Sequence, residues 1–273
     1  ADELKSSGIP ESQIIYFDLD KREYRNVVTA DKLEALIMSK CVTDEMKYLF
    51  IDEVQNVKDF ETVLNGFRTE GNWSIFITGS NSYLLSGELV TKLTGRYIEF
   101  EIFPLNFQEY EGMKAFFGKP INSNPMIELT NYILEGGFPR AILFDDMADK
   151  RKYVQGVVSE IFEKDIRKRL KIKNKENFET VRKYIINNFG ATTSLNNICD
   201  AIRKNGTPIN SSTVSKYIKA LIDAKILYEC PRFDMKSKRS ISGEKKYYLA
   251  DLSFYYAENT DNKINYGPVL ENI

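Results

Sequence analysis

The 273-residue chain sets 38 Lys and Arg against 39 Asp and Glu, is 42% hydrophobic, and contains no histidine. That balance gives no global field for nucleic acid or membrane, so any basic surface has to be local, and no apolar run approaches the roughly 18 residues of a membrane span. The absence of histidine removes His-based triads, His-ligated zinc and His general bases. Three well-separated cysteines, Cys41, Cys199 and Cys230, without a CxxC spacing and without a basic-then-apolar leader, read as reduced thiols of a cytoplasmic protein.

In chain order, the first half alternates strand and helix. "QIIYFDLD" (13–20) reads as a strand, and "TADKLEALIMSK" (29–40) as a helix capped by Thr29 with Leu33, Leu36 and Ile37 on one face. "KYLFID" (47–52) is a continuously apolar strand, the pattern expected when both faces of a sheet are covered. "KDFETVLNGFRTEG" (58–71) is a helix burying Phe60, Val63, Leu64 and Phe67, "WSIFITG" (73–79) a second buried strand, and "RYIEFEIF" (96–103) a third, alternating one. Strands separated by helices imply a parallel sheet.

After Phe103 the signals turn helical. "NFQEY" (106–110) fits a capping box with Asn106 as cap and Glu109 reaching back. "NPMIELTNYILEGGFPR" (124–140) starts on a cap and a first-turn proline and ends at glycine. "EIFEKDIRKRLKIKNK" (160–175) carries a basic run, which suits a helix end. Helices at 194–206 and 209–227, joined by a tight turn, precede two β stretches, "ILYECPRF" (226–233) and "KKYYLADLS" (245–253), the pattern of a winged helix-turn-helix.

The chemistry concentrates at "YLFIDEVQ" (48–55). An acid pair at the end of an apolar strand suits nucleotide hydrolysis, with Asp52 near a magnesium ion and Glu53 polarising the attacking water. The next strand ends in Thr78, Ser80 and Asn81, at the sheet end where parallel α/β folds bind ligands. Arg96 follows Gly95 and is placed to stabilise a transferring phosphate from a neighbouring subunit, which would require a homo-oligomer. On the second predicted helix of the winged unit, Ser212, Ser215, Lys216 and Lys219 are candidate nucleic-acid contacts, joined in the wing by Lys236, Lys238 and Arg239.

These blocks, above all "TGSNSYLLSGELVTKLTGRYIEFEIFPL" with "YLFIDEVQNVKDFETVLNGF", "ILEGGFPRAI" and "KYYLADLSF", resemble the prokaryotic AAA+-type P-loop ATPases of the archaeal-ATPase-like branch, which carry a C-terminal region of unknown function. The resemblance implies binding and hydrolysis of ATP with Mg2+. It assigns Asp52 to the metal, Glu53 to base catalysis, Ser80 or Asn81 to the first sensor, and Arg96 to an arginine finger. The expected fold class is an α/β P-loop NTPase whose parallel sheet lacks its first strand, then a helical region, then a winged helix-turn-helix domain. The expected domains are an ATPase core at 1–110, a helical region at 111–175, a winged helix at 176–260, and the start of a further domain at 261–273.

One departure stands out. No G-x-x-x-x-G-K-[ST] loop exists, and "GKP" (118–120) follows a helix and puts proline where the metal-binding hydroxyl belongs. In the resembled family the loop lies upstream of "GIPESQIIYFDLD" on a strand between the "WSIFIT" and "RYIEFEIF" strands. The expectation is therefore a gap in the sheet there and a chain that hydrolyses no ATP alone. A rival reading is a DNA-binding or regulatory protein that uses the ATPase fold as a switch. A third is a nuclease-associated factor that relies on a domain beyond residue 273.

Overall fold

A computed structural model describes residues 1–79, 95–167, 172, 174–234, 239–259 and 263–273, divided into two compact units, Ala1–Phe100 and Glu101–Ile273.

The first unit opens on the short helix α1 (Asp2–Ser6) and is built on a parallel sheet in the order β1 (Ile14–Asp18), β2 (Lys47–Asp52), β3 (Trp73–Ile77). Helices α2 (Ala30–Lys40) and α3 (Phe60–Glu70) supply Leu33, Ile37, Phe60, Val63, Leu64 and Phe67 to a core that also takes Ile15, Phe17, Leu49, Ile51 and Trp73 from the strands. Gly71 ends α3 at φ +84, a left-handed cap that glycine adopts without steric cost. Thr29 sits at the cap position of α2 with extended backbone, but its side chain makes no capping bond.

Two expectations for this sheet are corrected. Burial along β2 alternates, so Lys47, Leu49 and Ile51 are buried while Tyr48, Phe50 and Asp52 are half-buried. Apolar residues on the second face reflect an aromatic row, with Phe50 stacked on Phe76 at 4.7 Å and Tyr16 half-exposed on the neighbouring strand, rather than a covered layer. The predicted strand at 96–103 is not a strand, and Ile98, Phe100 and Ile102 are 81%, 82% and 88% exposed. Alternation specifies a strand only where a neighbour supplies the ladder, and among the described residues β3 pairs with β2 alone.

The second unit is mainly helical. Helix α4 (Phe107–Phe116) starts on the complete capping box, Glu109 N to Asn106 Oδ1 and Asn106 N to Glu109 Oε2, both 2.9 Å. Helix α5 (Pro125–Glu135) is capped by Asn124 and stops at Gly136, whose φ +79 and ψ −176 belong to a region essentially reserved for glycine. Helix α6 (Met147–Ile161) runs into a π-helical turn, Phe162–Arg167, and α7 (Lys175–Asn187) starts with Asn174 as its cap. Helices α8 (Leu195–Lys204) and α9 (Ser211–Asp223) follow, then the antiparallel ribbon β4 (Leu227–Asp234) and β5 (Arg239–Leu249). The predicted strand at 245–253 ends at Leu249, and α10 (Ser253–Glu258) begins where it was expected to continue.

Phe162, Phe178, Val181, Ile185, Ile198, Val214, Ile218, Leu221, Leu249 and Tyr256 share one core. Asp251 is buried beside it and accepts hydrogen bonds from Gly137 N at 2.6 Å and Ser253 N at 2.8 Å, tying the end of α5 to the start of α10. Residues in the last expected segment form α11 (Tyr266–Asn272), whose Asn272 side chain accepts from Leu249 N at 2.8 Å and donates to Leu249 O at 3.0 Å.

Candidate functional site

Parallel pairing places the carboxyl ends of the three strands together. Asp18 and Asp52 lie in register across β1 and β2. The backbone continues the alignment past the strands, with Leu19 N to Asp52 O at 3.2 Å, Thr78 N to Ile51 O at 2.9 Å, and Val54 N to Thr78 O at 3.1 Å. Asp52 thus stands on the middle strand, flanked by Asp18 and Thr78.

The side chains converge on Asp52. Thr78 Oγ1 donates to Asp52 Oδ1. The Tyr16 hydroxyl is pushed above its ordinary value by partial burial, then by the Asp52 and Asp18 carboxylates. Glu53 adopts the left-handed conformation, φ 55 and ψ 45, which is costly for a non-glycine residue and turns the chain sharply out of β2. The Gln55 amide donates to the Glu53 carboxylate, and Asn56 Nδ2 donates to Asp20 Oδ1 at 3.0 Å.

The structure therefore brings Asp52 and Glu53 together with Thr78. Arg96 is exposed, one residue after Gly95 at φ +72 in the same unit. Ser80 and Asn81 lie outside the described residues. Tyr16, Asp18 and Gln55 were not singled out in the sequence. The signal for Asp18 was its place at the end of "IIYFD", the same position that Asp52 holds in "YLFID".

Among the described residues, no trio of His, Cys, Asp or Glu is placed to hold a metal with protein ligands alone. One strand-end carboxylate with a neighbouring hydroxyl is nevertheless a donor set that fits Mg2+, which keeps most of its waters and takes its remaining ligands from substrate phosphates. No helix among the described residues is long and apolar enough to cross a membrane.

A second constellation lies on α9. Asn210 caps the helix, accepting from Thr213 N at 2.8 Å, while Val214, Tyr217, Ile218 and Leu221 face the core. Ser212, Ser215, Lys216 and Lys219 are exposed, at the i, i+3, i+4, i+7 spacing of one helical face. Lys219 pairs with Asp223 at 3.4 Å. The ribbon cations are also paired, Arg232 with Glu244 at 3.5 Å, Lys245 with Glu229 at 2.7 Å, and Lys246 with Glu271. Lys236 and Lys238 lie outside the described residues; Arg239 opens β5, and only its backbone is described.

Comparison with known proteins bears on the fold and the family. Residues 1–111 match the model of an AAA domain, and residues 126–263 that of a domain of unknown function (DUF8612). An uncharacterised protein of Haemophilus influenzae is 30% identical over the whole chain, which spans 68% of that relative. The uncharacterised protein MJ1544 of Methanocaldococcus jannaschii is 31% identical over 95% of the chain, which spans 58% of its length. The Walker-type ATPase PABY2304 of Pyrococcus abyssi superposes with a TM-score of 0.56 over 94% of this chain and 87% of its own, and at 12% identity that likeness is one of fold. Family matches and fold converge: the chain belongs to the family that carries an AAA domain followed by the domain of unknown function DUF8612, and its fold is that of an archaeal-ATPase-like AAA+ protein.

Proposed function

We propose that the chain carries the metal-binding and water-activating half of an ATP-hydrolysing site, with the phosphate-cradling loop supplied from outside residues 1–273. The observation that carries this reading is the placement of Asp52 at the carboxyl end of the middle strand, with the Thr78 hydroxyl bonded to it and Glu53 adjoining it. The β3 edge that lacks a partner among the described residues supports the position of the additional strand.

In this reading Asp52 and Thr78 hold the Mg2+ shell, and the bound ion supplies neutralisation of the substrate phosphates. Glu53 takes the proton of the attacking water, and Gln55 fixes the orientation of that carboxylate. Ser80 or Asn81 reads the terminal phosphate. Arg96, exposed, serves the site of a neighbouring copy in a homo-oligomer.

The test compares this chain with an N-terminally extended version carrying the loop. The extended protein binds and hydrolyses ATP, Glu53→Gln keeps binding and loses turnover, and the 273-residue chain turns over none. Turnover by the 273-residue chain that Glu53→Gln abolishes would falsify the proposal of an external loop. An extended protein that fails to bind nucleotide sinks the ATPase reading.

A second reading rests on a separate observation, the four polar side chains on one exposed face of α9. Helices α8 and α9 with the β4–β5 ribbon act as a winged helix, Ser212, Ser215, Lys216 and Lys219 contact DNA phosphates and groove, and the ATPase unit serves as its switch.

A further inference from the structure

The strand-end site holds a second carboxylate to which the reading above gives no role. Asp18 ends β1 directly opposite Asp52, and Leu19 N bonds Asp52 O at 3.2 Å, so the pairing is held one residue past the strands. Partners in register on this sheet share a face, as Phe50 and Phe76 show by stacking at 4.7 Å. Tyr16 lies two residues before Asp18 and so on the same face. Its hydroxyl is pushed upward first by partial burial, then by both Asp52 and Asp18. The two carboxylates are half-buried, neither exposed nor sealed from solvent.

Like charges directly opposite each other destabilise a sheet, and partial burial weakens the screening that would relieve them. Among the described residues neither carboxylate has an ion-pair partner. The turn after β1 accounts for one oxygen only. Asp18 Oδ1 accepts from Asp20 N at 3.1 Å, and asparagine would serve that bond as well. Asp52 likewise has one oxygen engaged, by the neutral Thr78 hydroxyl. Two negative charges in register, each bonded to neutral donors, are relieved by a cation beside them. Mg2+ is the ion that ATP hydrolysis brings, and it is held through one or two carboxylates with the rest of its shell left to water and phosphate.

We propose that Asp18 is a further positioning residue for the metal and forms with Asp52 a two-carboxylate seat at the carboxyl ends of β1 and β2. The identity of the ion rests on the ATPase reading; the assignment of Asp18 goes beyond it.

The test titrates the 273-residue chain with Mn2+, a paramagnetic stand-in for Mg2+, without nucleotide, and reads the free ion by electron paramagnetic resonance. Saturable binding is expected with a Kd near or below about 1 mM. Asp52→Asn and Asp18→Asn each weaken it by roughly tenfold or more, and Asp18→Glu restores part of the loss. Melting without metal separates this role from a structural one. Asp18→Asn keeps an acceptor for Asp20 N and removes a like charge, so its metal-free melting temperature is equal to or above that of the wild type. Binding weakened by Asp52→Asn but untouched by Asp18→Asn overturns the proposal and leaves Asp52 as the metal residue. A metal-free melting temperature lowered by Asp18→Asn also overturns it. No saturable binding, or binding that neither substitution weakens, overturns the proposal and the Asp52 assignment together. Asp18-dependent binding beside an extended protein that takes no nucleotide sinks the ATPase reading and leaves the two-carboxylate seat.

Discussion

The Thr78 hydroxyl donates to the Asp52 carboxylate across the β2–β3 pair, fixing one of its oxygens. A strand-end carboxylate held this way is pre-oriented, since its χ angles are no longer free at the moment of ion binding. Thr78→Val keeps the shape and removes the donor. In the extended protein its expected effect is a loss of up to about tenfold in Mg2+-dependent ATP affinity, the scale of one hydrogen bond to a charged group. Asp52→Asn is expected to abolish that dependence. A Mg2+ titration of ATP binding that is identical in wild type and both variants refutes the assignment.

Lys114 and Glu128 form an ion pair deep in the second unit, with side-chain exposures of 10% and 1%. Glu128 also accepts from Asn122 N at 2.9 Å and Asn131 Nδ2 at 3.2 Å, so its lone pairs are satisfied. Removing one member strands the other charge, and Lys114→Met is expected to cost about 3–5 kcal/mol. The double variant Lys114→Met with Glu128→Leu is expected to recover much of it, because two apolar groups replace two desolvated charges. Denaturant melts of the three proteins decide. A double variant no more stable than Lys114→Met refutes the stranded-charge explanation.

The same pair sets a pH dependence. Burial pushes the Glu128 carboxyl upward, but the bonds from Lys114, Asn122 and Asn131 together outweigh it, and the group lies below its ordinary 4.5. A carboxyl depressed in the folded state binds fewer protons there than in the unfolded chain. Its stabilisation is therefore present above pH 4.5 and lost as the pH falls through the lower folded value. Asp251 has the opposite sign. Burial raises it above 3.8, so the folded state holds its proton longer, and its contribution is present below 3.8 and lost as the pH rises through the raised value. Glu128→Gln is accordingly expected to flatten the acid limb of stability below pH 4.5, and Asp251→Asn to leave that limb in place. Unfolding midpoints measured against pH at constant ionic strength check both.

Much of this was readable because it was local. The capping box at Asn106 and Glu109, the proline start of α5 and the buried faces of α3 and α9 depend on neighbours within one or two turns, and they formed where the spacing put them. The errors fell where the outcome depended on a distant partner. "RYIEFEIF" alternates as a strand should, yet an isolated strand has no ladder to join, and its apolar side chains lie exposed. "KKYYLADLS" reads as a strand to 253, but β5 ends at Leu249, and Asp251, bonded to Gly137 N and Ser253 N, turns the chain into α10. In the candidate site the acid pair was legible as a motif. The Tyr16, Asp18 and Gln55 contacts were not, because two come from strand register and the third from the left-handed turn at Glu53.

Gly136 and Gly137 show how "EGGF" is specified by packing. A Cβ on Gly136 would stand 2.1 Å from Asp251 Oδ1, and one on Gly137 would stand 2.2 Å from Leu105 O. Neither neighbour can yield, since Asp251 is held by two backbone amides and Leu105 N itself bonds Gly137 O at 2.8 Å. Alanine at Gly136 adds backbone strain of about 1–3 kcal/mol to the collision. Gly136→Ala is expected to lower the melting temperature of the second unit sharply or to prevent its folding. Gly118→Ala, at a left-handed turn with open space around it, should cost much less. Equal losses in the two variants would show that conformation rather than contact with Asp251 governs the site.

The α9 face supports a quantitative expectation for DNA. Association neutralising Z phosphates falls with salt at a log–log slope of about −0.9 per phosphate. The exposed face offers Lys216 and Lys219, Lys219 is shared with Asp223, and the described ribbon cations Arg232, Lys245 and Lys246 are paired with glutamates. Binding through this face should accordingly be weak and shallow in its salt dependence. Lys216→Gln is expected to reduce the slope by about one, whereas Ser215→Ala should weaken binding without altering it, because a hydroxyl releases no counterion. Filter-binding or anisotropy titrations at several salt concentrations separate the outcomes. A steep slope that both substitutions leave untouched would move the DNA contact away from α9.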